Sequence, residues 1–248
     1  SVPAGGSQDF VATGSISDGN LVGLKSDGTV SVIEAISGSI TGFTTASAQD
    51  VHACFDSNSN KIVITFQDVD AGNVGKCVVG TVSGNGISFG SVAAFSGSDG
   101  VAHIETAFDS NFLPFVIAFS ATGADSNDGY AIVGTVSGTG ISFGTAVEFQ
   151  NSNVGRIGIC FVPDGNRVVI GYRDEGDSNK GKAIVGTVSG TGISFGTPAV
   201  FLDSIVTLIA ITFDSNSNKI VIGFKDSNTG TLNGVATPEN AGFAIVGT

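Results

Sequence analysis

Apolar and polar positions along this chain alternate in short runs, and the runs return at a fixed distance. The phrase GTVSGNGISFG spans Gly80 to Gly90, and GTVSGTGISFG follows at Gly134 to Gly144 and again at Gly186 to Gly196. A fainter copy, ISGSITGFT, runs from Ile36 to Thr44, and Ala244 to Thr248 repeats the opening of the phrase. In Ala183 to Phe201 two apolar, β-branched runs flank Ser189-Gly190-Thr191-Gly192. Glycine reaches positive φ at little steric cost, so this pattern predicts a β-hairpin. Both faces of its strands are small or apolar, which predicts cover on both sides.

A second hairpin precedes each phrase. Its clearest copy is IAITF, then Asp214-Ser215-Asn216-Ser217-Asn218, then KIVIGF. The earlier copies start at His52, Glu105 and Gly158, and their closing aromatics Phe55, Phe108, Phe161 and Phe213 recur every 52 or 53 residues. Each period therefore holds four strands. Four short strands in a period of about 50 residues mark a β-propeller, in which each unit is one blade and relies on its neighbours for cover. The expected fold is all-β: a five-bladed propeller of four-stranded antiparallel blades. Its blades run over about 7–50, 51–100, 101–153, 154–204 and 205–248 plus 1–6. In the divergent first unit, Phe10 to Ile16, Leu21 to Leu24, Thr29 to Ala35 and Ile40 to Ala46 are the expected strands, with a turn at Asp27-Gly28. The last unit has three strands. Either the N-terminus closes it, since Val2-Pro3-Ala4 resembles Thr197-Pro198-Ala199, or its edge stays open to another chain.

Composition suits that architecture. The chain has 248 residues, 37 of them glycine, only 13% charged, and neither Met nor Trp. No apolar run approaches the roughly 18 residues of a membrane span, and no signal peptide is apparent. The net charge of −12 disfavours nucleic acid, whose phosphates call for clustered Lys and Arg. Of the three cysteines, Cys54 and Cys160 occupy the register of Ala107 and Thr212, and Cys77 that of Ala131, Ala183 and Ala244. Each fills a slot for a small buried residue, so free thiols are expected rather than a disulfide, metal or nucleophile.

No catalytic constellation, cofactor motif or metal site is expected. Asp56-x-Asn58-x-Asn60 and Asp214-x-Asn216-x-Asn218 match half of a calcium loop, but Lys61 and Lys219 stand where glycine belongs, and Gln67 and Lys225 where the closing acid belongs. Asx turns explain the same residues. Glu34, Glu105, Glu148, Glu175 and Glu239 share no blade position, and Tyr130 and Tyr172 are the only tyrosines, which disfavours a glycosidase. His52 and His103 fall at unlike registers and read as structural.

The loops between second and third strands vary most: Gln67 to Gly75, Ser120 to Gly129, Arg173 to Gly181 and Lys225 to Gly242. Equivalent blades place them on one rim, where binding residues concentrate on repeat scaffolds. Candidate partner-contact residues there are Asp68, Asp70, Asp125, Asp128, Asp174, Asp177 and Asp226; solvated polar loops are the competing explanation.

The phrases AIVGTVSGTGISFGTPAVF and FDSNSNKIVIGF, with Gly14-Ser15-Ile16-Ser17-Asp18-Gly19 leading into Leu24-Lys25-Ser26-Asp27-Gly28-Thr29-Val30, resemble repeats of marine bacteriophage structural proteins, especially tail-fibre and virion-surface proteins. The resemblance runs from about Phe10 to Thr248. It implies a repeat-built, non-enzymatic attachment or scaffold module on a virion surface or in the extracellular space. Its partners would be other virion subunits or a host-surface receptor, without cofactor, nucleic acid or membrane span. Two alternatives stand beside it: a filament subunit that uses an open blade edge, and a carbohydrate-binding propeller, lectin or glycosidase-like.

Overall fold

A computed structural model describes residues 11–12, 15–16, 22–24, 28–32, 39–108, 114–123, 127–228, 230–232, 235–238 and 240–247. The chain falls into two compact units, Ser1–Ile40 and Thr41–Thr248.

In the first unit, β1 (Val22–Leu24) and β2 (Val30–Val32) form an antiparallel pair, with Val22 opposite Val32. Gly28 between them has φ 81°, as the expected turn requires. The strand expected over Phe10 to Ile16 reduces, among the described residues, to one parallel bridge between Ala12 and Val30. The closing segment expected at residues 1–4 lies outside the described residues.

The second unit is built from antiparallel meanders. The first sheet contains β3 (Ala48–Asp56), β4 (Lys61–Asp68), β5 (Val74–Ser83), β6 (Gly86–Phe89) and β7 (Ala93–Ala94). The second contains β8 (Val101–Phe108), β9 (Pro114–Ala121), β10 (Gly129–Ser137), β11 (Gly140–Phe143) and β12 (Val147–Gln150). In each, the last two short strands pair side by side with the third, so the expected four rungs are present with the outermost broken in two.

The third sheet departs from expectation. It joins β13 (Val154–Val162), β14 (Arg167–Asp174), β15 (Lys180–Ser189), β16 (Gly192–Phe195), β17 (Ala199–Asp214), β18 (Lys219–Asp226) and β21 (Ala241–Gly247) in one seven-stranded sheet. The fourth and fifth repeats were expected as separate blades. Instead β17 runs unbroken for 16 residues, pairing first with β15 and then with β18. The reason is local. The earlier joints carry Ser96-Gly97-Ser98-Asp99-Gly100 and Asn151-Ser152-Asn153, which favour turns. The last carries Leu202-Asp203-Ser204-Ile205, which has neither Gly nor Asn to stop a strand. The fifth repeat keeps its three expected rungs. A further hairpin, β19 (Gly230–Leu232) with β20 (Val235–Thr237), lies inside its long loop.

A fourth strand was also expected over Ile40 to Ala46, but no strand forms there. The Thr44 hydroxyl accepts the Ala46 N–H at 3.1 Å, a local turn that competes with sheet pairing. Among the described residues, then, the chain shows three antiparallel sheets of five, five and seven strands besides the pairs β1–β2 and β19–β20, with no closed propeller among them.

The sheets pack face to face. One core cluster combines Val63, Cys77 and Phe95 of the first sheet region with Ile104, Phe115 and Ile117 of the second. The next combines Val116, Ala118 and Val133 with Ile157, Ile170 and Tyr172. Two smaller clusters fold the β17–β18 layer back over β13 and β14, setting Ile211 and Phe213 beside Cys160. Each joint repeats one aromatic pair. Phe43 meets Phe66 at 5.1 Å between ring centroids, and Phe95–Phe119, Phe149–Tyr172 and Phe201–Phe224 each stand at 5.3 Å. Tilted and edge-to-face rings at this separation attract through their quadrupoles in addition to the area they bury.

Candidate functional site

The meander brings the loops between second and third strands to the same end of every sheet, together with the connectors that lead into the next inner strand. Asp68, Asp174 and Asp226 end β4, β14 and β18 at one register. All three are buried, with 4%, 1% and 4% of their surface exposed, so their carboxylates serve the loops themselves. Asp68 accepts the Ala71 N–H at 3.1 Å, which caps the 3-10 turn Val69–Ala71, and accepts Lys76 Nζ at 2.5 Å. The Lys76 hydrogen bond holds the Asp68 carboxyl below the usual carboxylate range. Asp174 accepts the N–H groups of Gly176 and Asp177, the Ser152 hydroxyl at 2.7 Å and Lys182 Nζ at 2.8 Å. It thereby ties its loop to the connector from the preceding sheet. Asp226 accepts the Ser204 hydroxyl, within β17, at 2.8 Å and the Asn228 N–H at 3.0 Å.

The remaining candidates are placed differently. Asp70 accepts the Ser47 N–H at 2.9 Å near the surface. Asp177 is half-buried and pairs with Lys180 at 3.2 Å and Lys182 at 2.8 Å. The hydrogen bonds from Lys182 and Lys180 lower its carboxyl. Burial pulls Lys182 down, but the hydrogen bonds to Asp174 and Asp177 outweigh it and leave the ammonium raised. Asp128 is buried, and its carbonyl accepts the Ala121 N–H at 2.9 Å. Asp125 lies outside the described residues. Among the described candidates, Asp174 and Asp177 meet around Lys182, Asp68 and Asp70 share one loop, and Asp128 and Asp226 stand on others.

At the opposite end, Asp56 and Asp214 close the first hairpins as Asx turns. Asp56 accepts the N–H groups of Asn58 and Ser59 at 2.9 and 3.0 Å, and Asp214 those of Asn216 and Ser217 at 2.9 and 3.4 Å. Asn60 and Asn218 both take φ 55°, the left-handed conformation that Asn tolerates best after Gly. The carboxylates are thus committed to backbone donors, as the turn reading expects. The cysteines are free, and burial pushes each thiol up to about 12, so they stay protonated at neutral pH.

A second constellation runs along the inner strands, where each of β3, β8 and β13 carries a bulge. The bulged residues Asp50, His103 and Arg156 share one register and one left-handed conformation, with φ 44°, 52° and 52°. Asp50 accepts the His103 N–H at 2.8 Å, and His52 Nδ1 lies 3.3 Å from Glu105 Oε2. These contacts cross the joint between first and second sheets. The hydrogen bond to Glu105 raises His52 against the opposing effect of burial, whereas burial lowers His103. The sequence placed both histidines on or beside inner strands but gave no sign of their partners, which come from a different repeat.

The His52–Glu105 pair makes the joint sensitive to pH. A histidine whose folded pKa is raised stabilises the fold fully below its unfolded value, near 6.5, and loses that contribution as pH rises through the folded pKa. The stability gap between wild type and Glu105→Gln is therefore expected to be widest near pH 5.5 and to close by about pH 8. Urea unfolding midpoints across that range measure it, and a gap independent of pH would show that the pair is not coupled to folding.

Among the described residues no helix is long and apolar enough to cross a membrane. The sequence matches no protein-family model, and no curated protein matches it.

Proposed function

We propose that the chain is a non-enzymatic attachment or scaffold module of a virion surface or extracellular structure, built as a five-bladed propeller and meeting its partner through one loop rim. The observation that carries the ring is the state of Phe55. Its counterparts Phe108, Phe161 and Phe213 are half-buried against the preceding repeat, whereas Phe55 is 52% exposed. At the other end of the series Leu208 is 59% and Val246 60% exposed. Repeats of this kind bury such faces against a neighbouring blade, as a closed ring would. The rim follows from the loops: the joints repeat one aromatic pair, while the second-to-third strand loops differ in length and sequence. Variable loops on a constant scaffold are where recognition is placed. The virion setting rests on the likeness of the repeat phrases to bacteriophage tail-fibre and surface proteins.

Antibodies raised against the chain test the setting. On this reading they decorate tail fibres or the outer surface of purified particles in immunogold electron microscopy. Labelling of cell-borne filaments instead, with concentration-dependent polymers in light scattering, would favour a strand-exchanging filament subunit. Saturable binding on a glycan array would favour a lectin. Class averages of the isolated chain test the ring, and an open arc would sink it.

A further inference from the structure

The buried Asp–Lys pair at the rim occurs in the first and third sheets, as Asp68 with Lys76 and Asp174 with Lys182. In the second sheet the same two positions hold Ala121 and Tyr130. The connector into this sheet is also one residue longer: six positions separate Phe95 from Val101, against five from Phe149 to Val154 and five from Phe201 to Val206. The smaller side chain and longer connector leave an open cavity of about 170 Å³, lined by Phe95, Phe119, Tyr130, Ala121, Ser96 and Asp99, among others. Among the described residues, no Lys, Arg or His lines it.

Its chemistry is specific. Three aromatic rings converge, Phe95 and Phe119 at 5.3 Å and Phe119 and Tyr130 stacked at 6.1 Å. The Tyr130 hydroxyl donates to Glu148 Oε2 at 3.3 Å, which raises electron density in the ring. Electron-rich rings with a carboxylate among the lining residues attract cations and repel anions. The chain's charge of −12 steers in the same direction. The space is below the roughly 300 Å³ at which pockets for drug-sized ligands begin, and suits one compact head group.

We propose that this cavity is a binding site for a methylated ammonium group, held by the rings of Phe95, Phe119 and Tyr130 with Asp99 as the neighbouring charge. The site follows from the cavity alone and does not depend on the attachment reading. The Ser96 hydroxyl already accepts the Gly75 N–H at 2.9 Å and faces the Asp99 carbonyl at 3.2 Å, so it adds no free donor for a neutral polyol.

The test is a titration of the intact chain with choline, followed through the backbone amide signals of Gly97 and Gly100. Saturable shifts on the order of millimolar choline are expected, with the uncharged isostere, in which carbon replaces the quaternary nitrogen, binding at least about tenfold more weakly. Asp99→Asn weakens choline about threefold and leaves the isostere unchanged. The double variant Ala121→Asp with Tyr130→Lys installs the ion pair of the neighbouring sheets. It keeps the wild-type circular dichroism spectrum and loses the choline shifts. Absence of saturation by choline, equal affinity for choline and isostere, or binding retained in the folded double variant would each overturn the proposal.

Discussion

Replacing Phe149 with alanine is expected to lower the unfolding free energy by about 4 kcal/mol. Phe149 is 6% exposed and sits in the joint between second and third sheets. Its ring packs on Tyr172 at 5.3 Å and on Phe195 at 5.7 Å, and its far edge fills the space above Gly129, where a Cβ would lie 2.5 Å from it. Truncation removes the apolar contact and leaves a cavity walled by two sheets that are each fixed by their own ladders. Little collapse can refill it, which places the cost toward the upper end for such changes. Val82→Ala is the control. That side chain is half in water, so its loss should cost under about 1 kcal/mol. Guanidinium unfolding midpoints decide it, and equal losses at the two sites would show that the aromatic pairs do not carry the joints.

A change of opposite kind, adding a single methyl, is expected to be nearly as damaging at one glycine and harmless at its repeat counterpart. Gly144 follows β11, and a Cβ there would collide with the Thr191 carbonyl oxygen in the β15–β16 turn of the next sheet. Gly90 stands in the same relation to Thr139. Backbone cannot retreat as a flexible side chain can, so Gly144→Ala should cost about 3 kcal/mol. At Gly196 the nearest atom to a Cβ among the described residues would be the Val185 carbonyl at 3.8 Å. Gly196→Ala should therefore fall within about 0.5 kcal/mol of wild type. Thermal unfolding of the two single variants measures the difference, and a similar loss in both would refute the close approach as its cause.

Much of the architecture was legible because it is repeated. Phe55, Phe108, Phe161 and Phe213 gave the period, the glycine-rich phrases gave the outer hairpins, and Asp56 and Asp214 gave the Asx turns. What the sequence hid depends on partners in other repeats. The run Leu202-Asp203-Ser204-Ile205 stands at the register of the earlier joints but has neither Gly nor Asn, and β17 continues through it. The β19–β20 hairpin had a signal, Asn233-Gly234 between Leu232 and Val235, which the long loop concealed. The first repeat misled in the other direction: Phe43 keeps the aromatic register and packs on Phe66, although the strand around it is replaced by a turn at Thr44.

At the candidate site, the residue type was informative and the role was not. The rim aspartates were visible as polar loop positions, but their burial is set by Lys76, Lys182 and Ser204 from other strands and Ser152 from a connector. The signal that was available lay in the exceptions. Ala121 and Tyr130 break a pairing that Asp68–Lys76 and Asp174–Lys182 keep; the fifth repeat breaks it too, with Phe243 in the lysine position, but it retains Asp226.

The unbroken course of β17 has a mechanical consequence. Elsewhere a connector outside the strands separates one sheet's hydrogen-bond ladder from the next, so tension can open a single layer and stop. Here one backbone segment is hydrogen-bonded to β15 along its first half and to β18 along its second. A pull on the C-terminal end is transmitted along that segment into the fourth repeat, so the last two repeats yield as one event. In a force–extension trace they would contribute a single long release where two short ones would otherwise be recorded.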